Sequence, residues 1–279
     1  MNFDEKSVQN EFNALLQYID KDKEHKEYLW QKNEQQNRYS DIKPYIFNAV
    51  VLSGGRYINA SYISIRERNY FISTQGPKDN TIDDFYSMIQ HNKSQYVIML
   101  CKEIEQNKIK CSNYWEPNKV NNIVSNEFNI QIHSMNNDNN FIKRDIILKN
   151  KNDNTSTIFT QIQYTSWPDH GVPNSDSFQC FYELIKYLAR NKKKGYPLIV
   201  HCSAGVGRTG TFIAMYILTL EIAEQINRNV EPIQFNILNL VRKLKEMRLY
   251  LVQTVSQYQF IYEYAQYLLK TYQVNDIKI

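Results

Sequence analysis

The chain has 279 residues, 42% of them hydrophobic and 22% charged, with a formal net charge of +4. That composition excludes disorder over most of the length, and no run reaches the roughly 18 uninterrupted apolar residues of a membrane span. A folded chain of this size buries about 75% of its unfolded surface, so its core needs no metal or disulfide staple.

The first forty residues read as polar and helical. Phe12, Leu15, Leu16 and Ile19 recur at helical spacing, and the mixed-charge run DKDKEHKE follows. The start of the chain has no basic stretch followed by an apolar one, so no secretory signal is expected. Short β-like runs come next, at Ala49–Leu52, Tyr57–Ile63 and Tyr70–Ser73, punctuated by glycines and a proline. A helix is expected from Thr81 to about His91, then a buried strand at Tyr96–Leu100. Phe128–Ile132, Phe141–Leu148 and Thr157–Thr165 read as an antiparallel meander joined by Asn/Asp-rich loops.

The last hundred residues read as helices around one strand, Pro197–Cys202. Phe178, Phe181, Leu184, Ile185 and Leu188 form one apolar stripe. Phe212–Leu220 is apolar all round and must be a buried helix. Two further stripes run through Phe235, Leu238 and Val241, and through Val255, Tyr258, Ile261, Ala265 and Leu268. No Pro/Gly/Ser-rich linker divides the chain, so one domain is expected over 1–279, with a helical N-terminal segment (1–35) and a core (36–279). The four cysteines, Cys101, Cys111, Cys180 and Cys202, show no C-x-x-C spacing and are expected to be reduced thiols in a cytoplasmic protein. The five histidines show no metal-ligand spacing, so neither metal nor cofactor is expected. The basic run Lys192–Lys194 reads as a solvated face, and no nucleic-acid partner is expected.

The chemistry-bearing segment is L198-IVHCSAGVGRTGT-F212. A buried strand ends at His201-Cys202, a glycine-bearing loop follows, and a helix begins between Gly207 and Gly210. Such a loop turns successive backbone N–H groups inward as an anion cradle backed by a helix N-terminus. It lacks the Lys-Ser/Thr that closes a Walker loop. A thiol on the floor of that cradle, near a guanidinium, is favoured as the nucleophilic thiolate. Arg208 can hold two oxygens of an oxyanion, and the Thr209 hydroxyl can donate to the cysteine sulfur. The arrangement suits attack of sulfur on phosphorus.

HCSAGVGRTG (201–210) closely resembles the signature loop of the tyrosine-specific, cysteine-dependent protein tyrosine phosphatases. The resemblance extends over nearly the whole chain, through NRYSD (37–41), YINASYI (57–63), QGP (75–77), KIKCSNYW (108–115), WPDHG (167–171) and QTVSQYQF (253–260), in the family's order. It implies an α/β (α+β) domain: a highly twisted mixed sheet flanked by helices, with the phosphate-binding loop between a central strand and a helix. It also implies hydrolysis of phosphotyrosine in proteins or peptides, with phosphate, sulfate or vanadate as ligand anions.

The roles it implies are specific. Cys202 is the nucleophile that forms a cysteinyl-phosphate. Arg208 and the amides of Ser203, Ala204, Gly205, Val206 and Gly207 bind the non-bridging oxygens. Asp169 is the general acid and then the base, and Trp167 and Pro168 grip its loop, with Gly171 as hinge. Gln253 positions the hydrolytic water and Gln257 supports it. Tyr39 stacks on the substrate ring and makes the cleft too deep for phosphoserine. Asp41 holds the substrate main chain, Lys110 neighbours Asp169, Glu105 orients Arg208, and His201 supports the cysteine from behind. A monomer is expected. The competing reading from another class is a catalytically silent phosphotyrosine-binding module, although Cys202, Asp169, Arg208 and Gln253 are all present.

The chain departs from the family pattern at several places. Ile46-Phe47-Asn48-Ala49 stands where an aspartate and an arginine are usual, and Arg56 stands where an acidic residue is common, so a structural ion pair is expected to be absent or rebuilt. Tyr86 replaces a frequent tryptophan. Ser40 replaces a basic residue, and Tyr250 occupies a gateway position that is glycine in some members.

Overall fold

A computed structural model describes residues 4–23, 34–65, 68–116, 125–138, 140–168 and 171–274. In chain order the helices and strands are α1 (Glu5–Lys23), β1 (Ala49–Val51), β2 (Tyr57–Ile65), β3 (Arg68–Thr74), α2 (Ile82–His91), β4 (Tyr96–Met99), β5 (Ile104–Glu105), β6 (Lys108–Ile109), β7 (Phe128–Asn137), β8 (Phe141–Asn150), β9 (Ser156–Tyr164), α3 (Ser177–Asn191), β10 (Leu198–His201), α4 (Gly207–Asn227), α5 (Ile237–Met247) and α6 (Val255–Val274).

Eight strands form one mixed sheet in the order β1-β2-β3-β10-β4-β9-β8-β7. The three inner pairings, β3 with β10, β10 with β4 and β4 with β9, are parallel; the outer ones are antiparallel. β10 is therefore flanked by strands more than ninety residues earlier in the chain. Its run Leu198-Ile199-Val200 is buried on both faces, which is why the sequence there is continuously apolar instead of alternating. The outer strands, with one face toward solvent, keep the period-two pattern, as in the alternation along β7.

α4 follows β10 directly and runs through the core, with Phe212, Ile213, Ala214, Met215 and Tyr216 fully buried. α6 packs along it, and Thr219 and Tyr264 share a hydrogen bond of 2.9 Å at their interface. α1 lies against α5 and α6, where Phe12 meets the Tyr258 ring at 5.3 Å. The molecule is one α/β domain with helices flanking the mixed sheet. Among the described residues no helix is long and apolar enough to cross a membrane.

The expected elements are all present, with shifted limits. The helical reading of the first forty residues does not hold to its end. After α1, the described chain resumes in a short 3-10 turn at Glu34–Gln36, and residues 37–44 are non-helical. Phe235 precedes α5 and does not lie on it. The hairpin β5–β6 was not anticipated, because its strands are two residues long and joined by Gln106 and Asn107, both at positive φ.

Arg56 has carboxylate partners. Arg56 bonds Glu127 at 2.7 Å, lies 3.3 Å from Asp84 and donates to Ser87 at 2.9 Å, tying the start of β2 to α2 and to the segment before β7. Asn48 takes a separate part, donating to the carbonyls of Tyr62 (2.8 Å) and Met247 (2.7 Å). Tyr86 is fully buried and its hydroxyl donates to the Tyr114 carbonyl.

Candidate active site

The parallel strands end on one side of the sheet, and the loop from β10 to α4 lies there, at the carboxyl end where α/β sheets place ligands. The loop's shape follows from where its carbonyls are held. Gly76 N–H donates to Ser203 O at 2.9 Å. Arg248 donates to Ala204 O (3.3 Å) and Gly205 O (3.1 Å), and Ser73 Oγ donates to Gly205 O at 2.8 Å. Val206 O accepts from Gly210 N (2.8 Å) and Val252 N (3.3 Å). With the carbonyls pinned outward, the peptide planes turn their N–H groups the other way. The amides of Ser203 to Arg208 have no acceptor among the described residues. They form an open cradle at the start of α4, where the helix dipole adds to them.

Two glycines are required for that path. Gly205 sits at φ +70, and a Cβ there would lie 2.1 Å from Thr74 O. A Cβ on Gly210 would lie 2.4 Å from Val252 N, so no larger residue lets α4 approach the 251–252 segment so closely.

The cradle opens into a cavity of about 370 Å³. Its wall includes most of the residues singled out from the sequence: Tyr39, Asp41, Glu105, Lys110, Cys202, Ser203, Ala204, Gly207, Arg208, Gln253 and Gln257. Ile42, Gly171 and Thr254 line it too and were not anticipated as lining residues. Ile42 and Thr254 carry no chemistry that a sequence pattern flags; each adjoins a residue that does. The Tyr39 hydroxyl is 2.9 Å from Ser203 Oγ, so the tyrosine stands against the loop as a side wall.

Arg208 is the best-anchored cation of the wall. Its Nη1 donates to Glu105 Oε1 at 2.6 Å and its Nη2 to Oε2 at 2.9 Å, a two-pronged pair with Glu105 buried. Nη1 also reaches Leu100 O (3.1 Å) and Nη2 reaches Pro168 O (3.2 Å). Burial pulls the Arg208 pKa down, but the Glu105 bond and the nearby Cys202 more than offset it and leave it raised. The guanidinium stays charged and oriented.

Behind the cysteine, His201 is fully buried, and burial lowers its pKa from 6.5 to about 4. The neutral ring then has one possible tautomer. Nδ1–H donates to Cys202 O (3.2 Å), and Nε2 accepts from the Tyr114 hydroxyl (2.8 Å), which in turn accepts from Gln161 Nε2 (2.9 Å). All four cysteines are free thiols, and burial pushes those of Cys101 and Cys111 up, which keeps them unreactive.

Several expected residues lie off the cavity wall. Gly205 and Val206 belong to the loop but do not line the cavity, His201 and Thr209 are buried on either side of the loop in the chain, and Trp167 is buried, its Nε1 donating to Gly171 O at 3.3 Å. The expected bond from Thr209 to the cysteine sulfur is not formed: Thr209 Oγ1 is buried without a hydrogen-bond partner. Gln253 precedes α6, and Gln257 lies in its first turn. The Gln253 N–H donates to Gln257 Oε1 at 2.8 Å, which leaves the Gln257 amide Nε2 beside Gly207. Asp169 lies outside the described residues.

Sheet, loop and cavity together define an α/β domain built around a loop of open amides with a thiol at its floor. Residues 33–267 match the family model of the protein-tyrosine phosphatases, and the chain belongs to that family. The human tyrosine-protein phosphatase non-receptor type 20 is 39% identical over 236 residues, covering 83% of this chain and 54% of that protein. The human non-receptor type 4 enzyme is 37% identical over 255 residues, covering 88% of this chain and 26% of that one. This chain thus spans about half the length of the type 20 relatives it matches. The catalytic domain of human protein tyrosine phosphatase non-receptor type 18 superposes with a TM-score of 0.82 at 27% identity, covering 94% of this chain and 96% of that one. Another structure of the type 18 protein, in complex with HER2 phospho-peptides, gives 0.82 at 26% identity, covering 95% and 93%.

Proposed function

We propose that this chain hydrolyses phosphotyrosine in proteins through a cysteinyl-phosphate, as a cytoplasmic enzyme that needs no metal. The observation that carries the reading is the convergence on one cavity of Cys202, the open amides of Ser203 to Arg208 and a guanidinium fixed by Glu105.

The Cys202 thiolate attacks phosphorus in line with the tyrosyl oxygen. The amides and Arg208 hold the three non-bridging oxygens and stabilise the charge that shifts onto them in the transition state. The P–O bond to the ring breaks, and Asp169 supplies the proton that makes the leaving group a neutral phenol. Asp169, now a carboxylate, takes a proton from a water held by Gln253 and Gln257. That water's oxygen attacks phosphorus, the S–P bond breaks, and the thiolate and inorganic phosphate are released. The Tyr39 wall supports selection of an aryl phosphate, because a serine-linked phosphate is too short to reach the floor beside it.

The test is release of inorganic phosphate from phosphotyrosine and phosphoserine peptides, with chelator present. Release from the first peptide alone is the expected outcome, and Cys202→Ser abolishes it while keeping phosphotyrosine-peptide binding. Binding without release by the unaltered chain makes it a silent phosphotyrosine-binding module, and release from phosphoserine overturns the specificity.

A further inference from the structure

Among the described residues, the charged side chains lining the cavity cancel. Arg208 is paired with Glu105, and the cations Arg208 and Lys110 are matched by the anions Glu105 and Asp41. A phosphate dianion needs more than neutral walls, so another charge is worth locating. Directly beneath the loop lies Arg248, among the largest fully buried side chains of the described residues. It follows α5 and donates to four oxygens, all neutral: Gly205 O (3.1 Å), Ala204 O (3.3 Å), Ser61 Oγ (3.1 Å) and Asn59 Oδ1 (2.7 Å). No carboxylate lies within ion-pair distance of it among the described residues.

A buried guanidinium without a counter-ion is costly, and most chains avoid one. Here burial draws the Arg248 pKa down only to about 10, so the group stays protonated at neutral pH. The acidic groups that oppose this fall are the Tyr57 phenol and the Cys202 thiol. Burial pushes the Tyr57 phenol up to about 12, so it is neutral. Among the described residues, that leaves Cys202, or an oxyanion bound above it, to face the charge.

We infer that Arg248 is the fixed positive charge of the anion site, a positioning residue that touches no substrate but supplies through the loop the charge that Arg208 and Glu105 cancel between themselves. This deepens the phosphatase reading of the same cavity and rests on it. The charge acts through peptide groups that Arg248 itself aligns. Asn59 extends the same network to the Tyr39 wall, its Nδ2 donating to Ile42 O (2.7 Å) and to Asn37 Oδ1 (2.8 Å).

The experiment is isothermal titration with tungstate and perrhenate, tetrahedral oxyanions of similar size that carry two and one negative charges. Both are titrated into the unaltered chain, Arg248→Met and Arg248→Lys. A lost charge acts on the dianion twice as strongly in free energy. Arg248→Met therefore lowers perrhenate affinity about 10-fold and tungstate affinity by about the square of that, roughly 100-fold. Arg248→Lys keeps the charge, so any loss from its poorer grip on the two carbonyls is the same factor for both anions. Equal losses in Arg248→Met would mean that the residue only shapes the loop, and would overturn the inference. If Arg248→Met does not fold, Ser61→Asp places a carboxylate against the guanidinium, and the same two-to-one loss is expected. The titrations need no turnover. A two-to-one loss in a chain inactive on phosphotyrosine would sink the phosphatase reading alone, and equal losses in an active one would sink this inference alone.

Discussion

Glu105→Gln probes the grip on Arg208 with the least change of shape. Glutamine keeps one oxygen, which can still accept from Nη1, but puts an NH2 donor where Oε2 now accepts from Nη2. One charge-assisted bond is lost, and two donors are left facing each other in a pocket where Glu105 is only 4% exposed. A hydrogen bond to a charged group contributes about 1.5–3 kcal/mol, and the donor clash adds to that, so the expected loss is about 2–4 kcal/mol. If Arg208 acts in the transition state, kcat/KM toward a phosphotyrosine peptide falls about 30- to 1,000-fold. Total loss is not expected, because Leu100 O and Pro168 O still direct the guanidinium. The assay is steady-state kinetics, with thermal melting to confirm folding. A folded variant within about threefold of the unaltered chain would show that those two carbonyls suffice, and would refute the orienting role of Glu105.

Asp169→Ala is expected to lower kcat by a factor on the order of 10² to 10⁴ and to prolong substrate complexes; an unchanged kcat would remove Asp169 from its role. Gly205→Ala is expected to cost more than about 2 kcal/mol of stability and most of the anion affinity, because left-handed strain adds to the contact with Thr74 O; a normal melting temperature with normal tungstate binding would contradict the loop geometry. His201 sets a pH dependence. Its folded pKa, about 4, lies below the unfolded 6.5, so its neutral form favours folding, and that contribution is complete above pH 6.5 and lost as pH falls toward 4. The full span is about 3 kcal/mol, and melting curves from pH 7 to 4.5 should show a fall that His201→Asn lessens. A slope identical in the two chains would assign acid sensitivity to other groups.

What sequence could reveal depended on whether the cause was local. The strand, loop and helix around Cys202 are set by neighbours in the chain: an apolar run, glycines at fixed offsets and a helix start. The reading there agrees with the structure down to the helix beginning at Gly207. The pairing of Arg208 with Glu105 crosses 103 positions and was legible only through resemblance. Arg248 was not legible at all. An arginine just past an amphipathic helix reads as exposed, and its burial depends on β2 and the loop folding around it. The partners of Arg56 were similarly hidden, because Asp84 and Glu127 are brought to it by α2 and by the approach to β7. Thr209 shows the reverse error: proximity in sequence suggested a bond to sulfur that the side chain does not make.

The 3.2 Å bond from Arg208 Nη2 to Pro168 O joins the arginine to the backbone of the Trp167–Pro168 segment. That segment cannot swing away without breaking the bond, and an oxyanion that recruits the same N–H weakens its hold there. Occupancy of the pocket and posture of the segment are therefore expected to be coupled, reciprocally, through one guanidinium. A fluorophore reporting on Trp167 should register the arrival of a simple inorganic anion, with no peptide attached.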